Sequence, residues 1–379
     1  MRRSKIEERT KQMAFLKNVW YCAGFSHELD DAKLLGRKLV GEHVLIYRTE
    51  SGEAVAMSNV CPHRFAPLSE GHRYGDNVSC PYHGLEFNAE GQCVRNPNGD
   101  KGTLTDLKAP RVARLKSYPL EELWGILFIW MGKPEKADTS LIPDFSMTEE
   151  RPGHRTVFGF HKLDAHYELA VDNLMDRTHV QFLHPRLNLG TDFRDDFERR
   201  YSTEQIGDEI WDYHCELNAP RMPLTAILWP EAPELMEYYF DVRWNAPGHM
   251  LLDAGSVAAN TDRKIGSHTP GANMVTPIDE HSCYYFWNNC RDSNLDSAEA
   301  DKGLQHGITD TFANEDGRMV AMCQEMMDGE TDLLSMKPLL LPSDEAAVRA
   351  RRVIARKLRE EAEEEAREAA DNGALEAAE

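Results

Sequence analysis

The strongest constraint on this chain is a pair of short Cys/His strings. Cys61-Pro62-His63 is followed, after sixteen residues, by Cys80-Pro81-Tyr82-His83. Each string carries one thiol and one imidazole at a spacing a tight loop can present, so two loops must meet over one metal centre. The surrounding text suits that demand. Leu39-Val40 and Val44-Leu45-Ile46-Tyr47 read as strands, Thr49 to Glu53 as a turn, Ala54-Val55-Ala56-Met57 as another strand, and Leu127-Phe128-Ile129-Trp130 as a closing strand. Gly71, Gly75, Gly84, Gly91 and Gly99 punctuate the stretch between. The first part is therefore an all-β module with loops and not a βαβ unit.

In a Rieske-type [2Fe–2S] centre two thiolates hold one iron and two imidazoles hold the other, which lowers the negative charge of the cluster and raises its potential. A structural zinc site is the main rival, because Cys₂His₂ also suits zinc. Zinc fingers usually pair Cys with Cys and His with His along the chain, whereas here each half carries one of each. Cys22, Cys93, Cys215, Cys283, Cys290 and Cys323 have no such partners and read as small buried hydrophobes.

Composition narrows the class further. Of 379 residues 41% are apolar, enough for cores in two domains. The net charge is 43 − 64 = −21, which argues against a nucleic-acid partner. The acidic run Glu360 to Glu365 reads as a solvated helix face. No apolar run approaches ~18 residues, so no membrane span is expected. The basic start lacks an apolar segment, no signal peptide is read, and a cytoplasmic location is the default. Residues 1–15 read as a polar extension, 16–133 as the cluster domain and 134–379 as a second domain, with Gly132-Lys133-Pro134 as linker.

The second domain reads as α+β. Leu169, Ala170, Leu174 and Met175 recur at helical spacing; Leu235 to Val242, Met250 to Val257 and Cys283 to Trp287 read as strands; Ala298 to Met327 reads as one long helix, and a last helix starts at Ser343 as N-cap. Its chemical signal is Asp172-Asn173-Leu174-Met175-Asp176-Arg177-Thr178-His179 followed by His184. A non-haem iron oxygenase needs two His and a carboxylate on one face. Asp176 and His179, three apart, share a helix face. His179 and His184 lie about 140° apart on an ideal helix and converge only if it bulges or ends between them, and Pro185 fits such an ending. The missing carboxylate is Asp316, with adjacent Glu315 as rival, since only one of the two is expected to face inward.

On these strings, with Asn18-Val19-Trp20-Tyr21, Asn314-Glu315-Asp316 and Ser343-Asp344-Glu345-Ala346-Ala347-Val348-Arg349, the chain resembles the oxygenase component of Rieske non-haem iron oxygenases. The resemblance covers roughly residues 16 to 360 and is to the branch of vanillate O-demethylase, dicamba monooxygenase and toluenesulfonate methyl-monooxygenase. It implies a Rieske β-domain followed by a helix-grip catalytic domain in a head-to-tail homotrimer. Cys61, His63, Cys80 and His83 would hold the cluster, and His179, His184 and Asp316 a mononuclear Fe(II). Asp176 would bridge His179 to a cluster imidazole, His83, of the next subunit, and Asn173 would sit beside the iron.

The implied reaction is monooxygenation of an aromatic substrate with O₂, by O-demethylation of a methoxy group or hydroxylation of a methyl group. Ring hydroxylation and N-demethylation are the alternatives. By chain position Asn245, Leu252, His268, Asn273 and Trp287 are candidates to face the substrate, and Arg243 or Arg291 could clamp a carboxylate. No G-x-G-x-x-G follows a strand and no plant-type C-x₄-C-x₂-C run occurs, so electrons come from a separate reductase, or through a ferredoxin. A Rieske electron carrier without oxygenase activity would not need the second set of ligands, and a zinc-stabilised binding protein would need neither iron.

Overall fold

The computed structural model describes residues 15–29, 33–97, 114–184 and 197–376. They fall into two compact units, divided between Ile142 and Pro143, with Phe15 and Leu16 grouped with the second. Gly132-Lys133-Pro134, expected as a linker, lies within the first unit, together with the short 3₁₀ turns that follow it up to Leu141.

The first unit carries only strands and short turns among its described residues. They are β1 (Trp20–Phe25), β2 (Leu35–Leu39), β3 (Glu42–Arg48), β4 (Ala54–Ser58), β5 (His72–Tyr74), β6 (Asn77–Ser79), β7 (Glu86–Phe87), β8 (Cys93–Arg95), β9 (Ser117–Tyr118), β10 (Leu120–Leu123) and β11 (Ile126–Trp130). Three antiparallel sheets result, in the orders β1-β11-β10, β2-β3-β4-β9 and β5-β6-β7-β8. The apolar runs that read as strands are the ones that bury: every residue of β11 and Val44 to Tyr47 of β3 are shielded from water. Leu45, Tyr47, Met57, Leu68, Val78 and Phe87 form one cluster, and Cys61 and Cys80 belong to it. The two thiols are thus held by the apolar core.

The second unit is built on β12 (Arg155–Leu163), β13 (Glu198–Ile206), β14 (Glu209–Pro220), β15 (Leu235–Asn245), β16 (His249–Ala258), β17 (Ser267–His268), β18 (Gly271–Asp279) and β19 (Ser282–Arg291). They form an antiparallel sheet in the order β12-β19-β18-β16-β15-β14-β13, with β17 beside β16. The helices are α1 (Tyr167–Met175), α2 (Val180–Leu183), α3 (Pro223–Leu228), α4 (Ala298–Asp310), α5 (Gly317–Met326) and α6 (Glu345–Glu376). The α+β expectation is the observed architecture, and β12, β13, β14 and β18 add to the strands expected from the sequence. Three local expectations change. The helix expected from Ala298 to Met327 is split by a wider, π-type turn at Thr311–Asp316. The last helix starts after a turn in which Asp344, not Ser343, accepts the Leu341 backbone N–H at 2.6 Å. Cys323 is exposed and Cys215 half-buried, while Cys22, Cys93, Cys283 and Cys290 are buried as expected.

One interaction ties α6 to α1. Arg351, 6% exposed, donates through Nε to both oxygens of Asp172 at 3.0 Å, through Nη2 to Asp172 at 2.6 Å and through Nη1 to Glu168 at 2.6 Å. Burial works to raise both carboxyls, and the guanidinium works to lower them. Removing the cation strands two carboxylates in a desolvated place. Arg351→Met is therefore expected to lose about 3–5 kcal/mol in urea unfolding. A loss under about 1 kcal/mol would mean the methionine packs as well as the ion triad holds.

Candidate metal centres and the adjoining cavity

The two Cys/His strings form loops of one design. In the first, Cys61 N–H donates to Ala66 O at 3.0 Å and Phe65 N–H to Cys61 O at 2.9 Å. In the second, Cys80 N–H donates to Leu85 O at 2.8 Å and Gly84 N–H to Cys80 O at 3.1 Å. Both loops close through a left-handed residue at the fifth position, Phe65 (φ 57°) and Gly84 (φ 71°). That conformation is easy for glycine and strained for phenylalanine. The sequence motif thus encodes a repeated backbone turn as well as four ligands.

The loops bring like to like. Burial, with the Cys80 thiol adding to it, pushes Cys61 up to about 11, while the His63 and Arg64 backbone N–H groups oppose this. The His63 and His83 rings are 4.5 Å apart between centroids. Among the described residues the only trio of ligand atoms within 4.8 Å of one another is a different one, given below, so these four do not converge on a single ion. The arrangement fits a two-iron cluster, with thiolates on one metal and imidazoles on the other, and does not fit one tetrahedral zinc.

The second set converges. Ligand atoms of His179, His184 and Asp316 all lie within 4.8 Å of one another. Asp316 Oδ1 is 3.3 Å from Nε2 of both imidazoles. Ligands about 2.1 Å from one ion stand roughly 3.0–3.4 Å apart, so the spacing fits a metal between them. Asp316 is 2% exposed, and its Oδ2 is shielded without a hydrogen-bond partner, the state of a carboxylate oxygen shaped for an ion. Burial alone would raise its pKa, yet His179, His184 and Asn173 hold it at about 2.

Local structure explains the convergence and corrects two readings. Asp176 and His179 do not share a helix. The helix α1 ends at Met175, Asp176 Oδ1 accepts the Thr178 N–H and O–H at 2.7 Å each, and this turn swings His179 back so that its Nδ1 stands 3.6 Å from Asp176 Oδ2. The short helix α2 lies between the two histidines, with His179 as its N-cap and His184 as its C-cap, so it ends before His184 as expected; Pro185 lies outside the described residues. The two acids are not alternatives. The π-type turn gives Glu315 Oε2 a 2.7 Å contact with His184 Nδ1 while Asp316 faces Nε2 of the same ring. An extra residue in one helical turn re-aims neighbouring side chains in this way, and such turns recur at functional sites. Glu315 fixes the ring so that Nε2 is free for a metal. Asn173 Nδ2 donates to Asp316 Oδ1 at 3.0 Å, a side-chain contact and not a backbone one. Gly317 is required beside Asp316, because a Cβ there would meet Phe312 O at 2.7 Å and Leu163 Cδ2 at 2.8 Å.

Against the effect of burial, Asp176 and Asp316 raise His179 to about 9. In the metal-free protein the protonated ring therefore contributes stability below its ordinary value near 6.5, and that contribution is lost as pH rises towards 9. A metal needs the neutral ring, so binding must expel this proton. Fe(II) affinity of the metal-free site is expected to rise by about tenfold per pH unit from 7 upward, levelling near 9. An iron titration that is flat across that range would contradict this.

A cavity of about 360 Å³ adjoins the three ligands, bounded by α1, α4 and the sheet. Leu252, Asn273 and Trp287 line it, together with Val242, Met250 and Phe312. Trp287 lies across Gly159, where a Cβ would come within 2.4 Å of the ring. Tyr285 donates to Asn273 Oδ1 at 2.6 Å. Asn245 and His268 are not among the lining residues. Asn245 is held at the end of β15 by Glu209 at 3.3 Å, and His268 pairs with the Tyr239 hydroxyl at 2.6 Å. Neither arginine considered as a clamp lines the cavity: Arg243 donates to Asp144 O at 2.5 Å, and Arg291 is consumed by Asp301 and backbone carbonyls. The cation that does line it is Arg177, which was not among the sequence candidates. Its position beside Asp176 was the available signal.

Comparison with known proteins agrees with this geometry. A family model described as the Rieske [2Fe-2S] domain matches residues 19–119, and one described as the vanillate O-demethylase oxygenase C-terminal domain matches residues 163–360. The oxygenase component of dicamba O-demethylase from Stenotrophomonas maltophilia is 35% identical over 343 residues, 90% of this chain and 97% of that protein. The oxygenase component of chloroacetanilide N-alkylformylase from Rhizorhabdus wittichii is 33% identical over 349 residues, 92% of this chain and 97% of that protein. A crystal structure of dicamba monooxygenase with non-heme iron and dicamba superposes with a TM-score of 0.79 at 32% identity, covering 93% of this chain and 99% of the other.

Proposed function

The chain belongs to the Rieske non-haem iron oxygenases of the vanillate O-demethylase type, and from that premise we propose that it is the terminal oxygenase component of a multicomponent system that O-demethylates a methoxy-aromatic substrate. The cofactors are a Rieske [2Fe–2S] cluster and a mononuclear non-haem iron. The observation that carries the reading is the meeting of His179, His184 and Asp316 at the wall of a largely apolar cavity of small-molecule size. A carrier of electrons alone has no use for it.

In this reading Cys61, His63, Cys80 and His83 hold the cluster, and His179, His184 and Asp316 hold the iron. When bound, the iron supplies O₂ activation with two electrons delivered through the cluster. One oxygen atom would enter the methyl C–H bond and the other, with two electrons and two protons, would leave as water, so a methoxy carbon would depart as formaldehyde and leave a phenol. The chain's own residues do the rest. Glu315 and Asn173 aim the ligands, Asp176 steadies the turn and faces His179, and Trp287 with the apolar wall excludes water and orients the ring. Electrons come from a separate reductase or ferredoxin.

The assembly is a homotrimer in which the cluster of one subunit serves the iron of its neighbour, with Asp176 between His179 and the neighbour's His83. Asp176 supports this, because its carboxylate faces His179 Nδ1 and is not fully buried. Eight cysteines, none in a disulfide, suit the reducing cytoplasm, and no described helix is long and apolar enough to cross a membrane. The test is NADH and O₂ consumption with a surrogate reductase across a panel of methoxy-aromatics. Formaldehyde released in step with O₂ uptake is expected. Hydroxymethyl or ring-hydroxylated products without formaldehyde would replace demethylation by hydroxylation. Two irons per chain and no substrate-dependent uptake would leave only the electron carrier.

A further inference from the structure

Arg177 is the only lysine or arginine among the described residues lining the cavity. It follows Asp176 in the turn that the Thr178 hydrogen bonds fix, two residues before His179. Its guanidinium carbon stands 3.9 Å from the centroid of the Phe240 ring, another cavity residue, and stacking of this kind holds the planar fork in one orientation.

What sets Arg177 apart is the lack of a partner. Its Nε is shielded from solvent and makes no hydrogen bond, and no carboxylate of a described residue lies within ion-pair distance of the side chain. Glu216, Asp176 and Asp212 act on it only from further away. Glu216 is already engaged by His214 at 3.4 Å and Arg199 at 3.5 Å, and Asp176 by Thr178. The fully buried arginines differ from it. Arg37 has Glu28, Arg291 has Asp301, and Arg351 has Asp172 with Glu168. A half-buried guanidinium at the cavity wall with no carboxylate partner among the described residues is open to an anion entering the cavity, which it would hold with paired, charge-assisted hydrogen bonds.

We infer that Arg177 is the specificity-determining residue of this cavity and that it binds the carboxylate of an aromatic acid whose ring fills the apolar space. The inference rests on the reading of the cavity as the substrate site. It assigns the acid's recognition to the segment that also carries His179, so the anchor and the reacting end of the substrate are referenced to the same turn.

The experiment measures equilibrium binding to the iron-loaded full chain, without reductase or turnover, by quenching of tryptophan fluorescence. Methoxybenzoates are compared with the corresponding neutral methoxybenzamides. The unaltered protein is expected to bind at least one acid roughly 10- to 100-fold more tightly than its amide. Arg177→Met should abolish that preference while leaving amide binding within about twofold, and Arg177→Lys should keep part of it. Iron content and the visible cluster spectrum check that each variant is intact. No acid bound more tightly than its amide, an unchanged preference in Arg177→Met, or equal loss of both ligands would each overturn the assignment. Because turnover is not read, tight acid binding without formaldehyde release would overturn demethylation and leave Arg177's role standing.

Discussion

Asp176→Asn is expected to keep both metal centres and lose turnover by on the order of 100-fold. The amide has the carboxylate's shape, and its oxygen can still accept the two Thr178 hydrogen bonds at 2.7 Å that shape the turn. His179 therefore stays aimed at Asp316. What the amide lacks is the negative charge facing His179 Nδ1 at 3.6 Å and the ability to accept from an imidazole on either side. Such partners set ligand orientation and basicity, and here the same carboxylate is proposed to connect the two centres of neighbouring subunits. The decisive measurement is a single turnover. Chemically reduced variant, mixed with substrate and O₂, should show slowed oxidation of the cluster at unchanged iron content. A rate like that of the unaltered protein would remove Asp176 from the electron path.

The second large effect separates the two adjacent acids. Asp316→Ala is expected to lower bound iron from about three to about two per chain, with the cluster's visible spectrum intact and oxygenation abolished, because a two-histidine site without its carboxylate no longer presents the facial triad. Glu315→Gln should behave otherwise. It touches His184 Nδ1 at 2.7 Å from the side away from Asp316, so its loss should weaken iron binding about 10- to 100-fold and be repaired by added Fe(II). If Glu315→Gln lost the iron outright and Asp316→Ala kept it, the roles would be exchanged.

The contrast between these acids shows where reading a sequence stops. Glu315 and Asp316 are consecutive, and on a regular helix consecutive residues point about 100° apart. The expectation that only one of them faces inward assumed a regular helix, and the π-type turn at Thr311–Asp316 is invisible in residue spacing. Likewise the three-residue step from Asp176 to His179 was read as a helical face and is made by a turn after α1 instead. The contact survived because both geometries bring those positions together. The pocket residues fared according to whether their strand's register was legible. Leu252, Asn273 and Trp287 alternate onto the inner face of neighbouring strands, while Asn245 at a strand end and His268 beside β16 do not line the cavity.

The sequence by itself determined the chemistry of both centres: which thiols, imidazoles and carboxylates exist, how the paired loops are spaced, and that a β module precedes an α+β one. Those are local properties, set by residue type and by periods of two or 3.6. Only the tertiary structure decided that Asp316 meets His179 and His184, that Glu315 backs His184, and that Arg177, not Arg243 or Arg291, is the cation at the cavity. The reason is that these are contacts between segments far apart in the chain. Their register is fixed by the summed burial of a whole sheet and its helices, and a one-residue change in a turn or strand redirects a side chain with no trace in the local pattern.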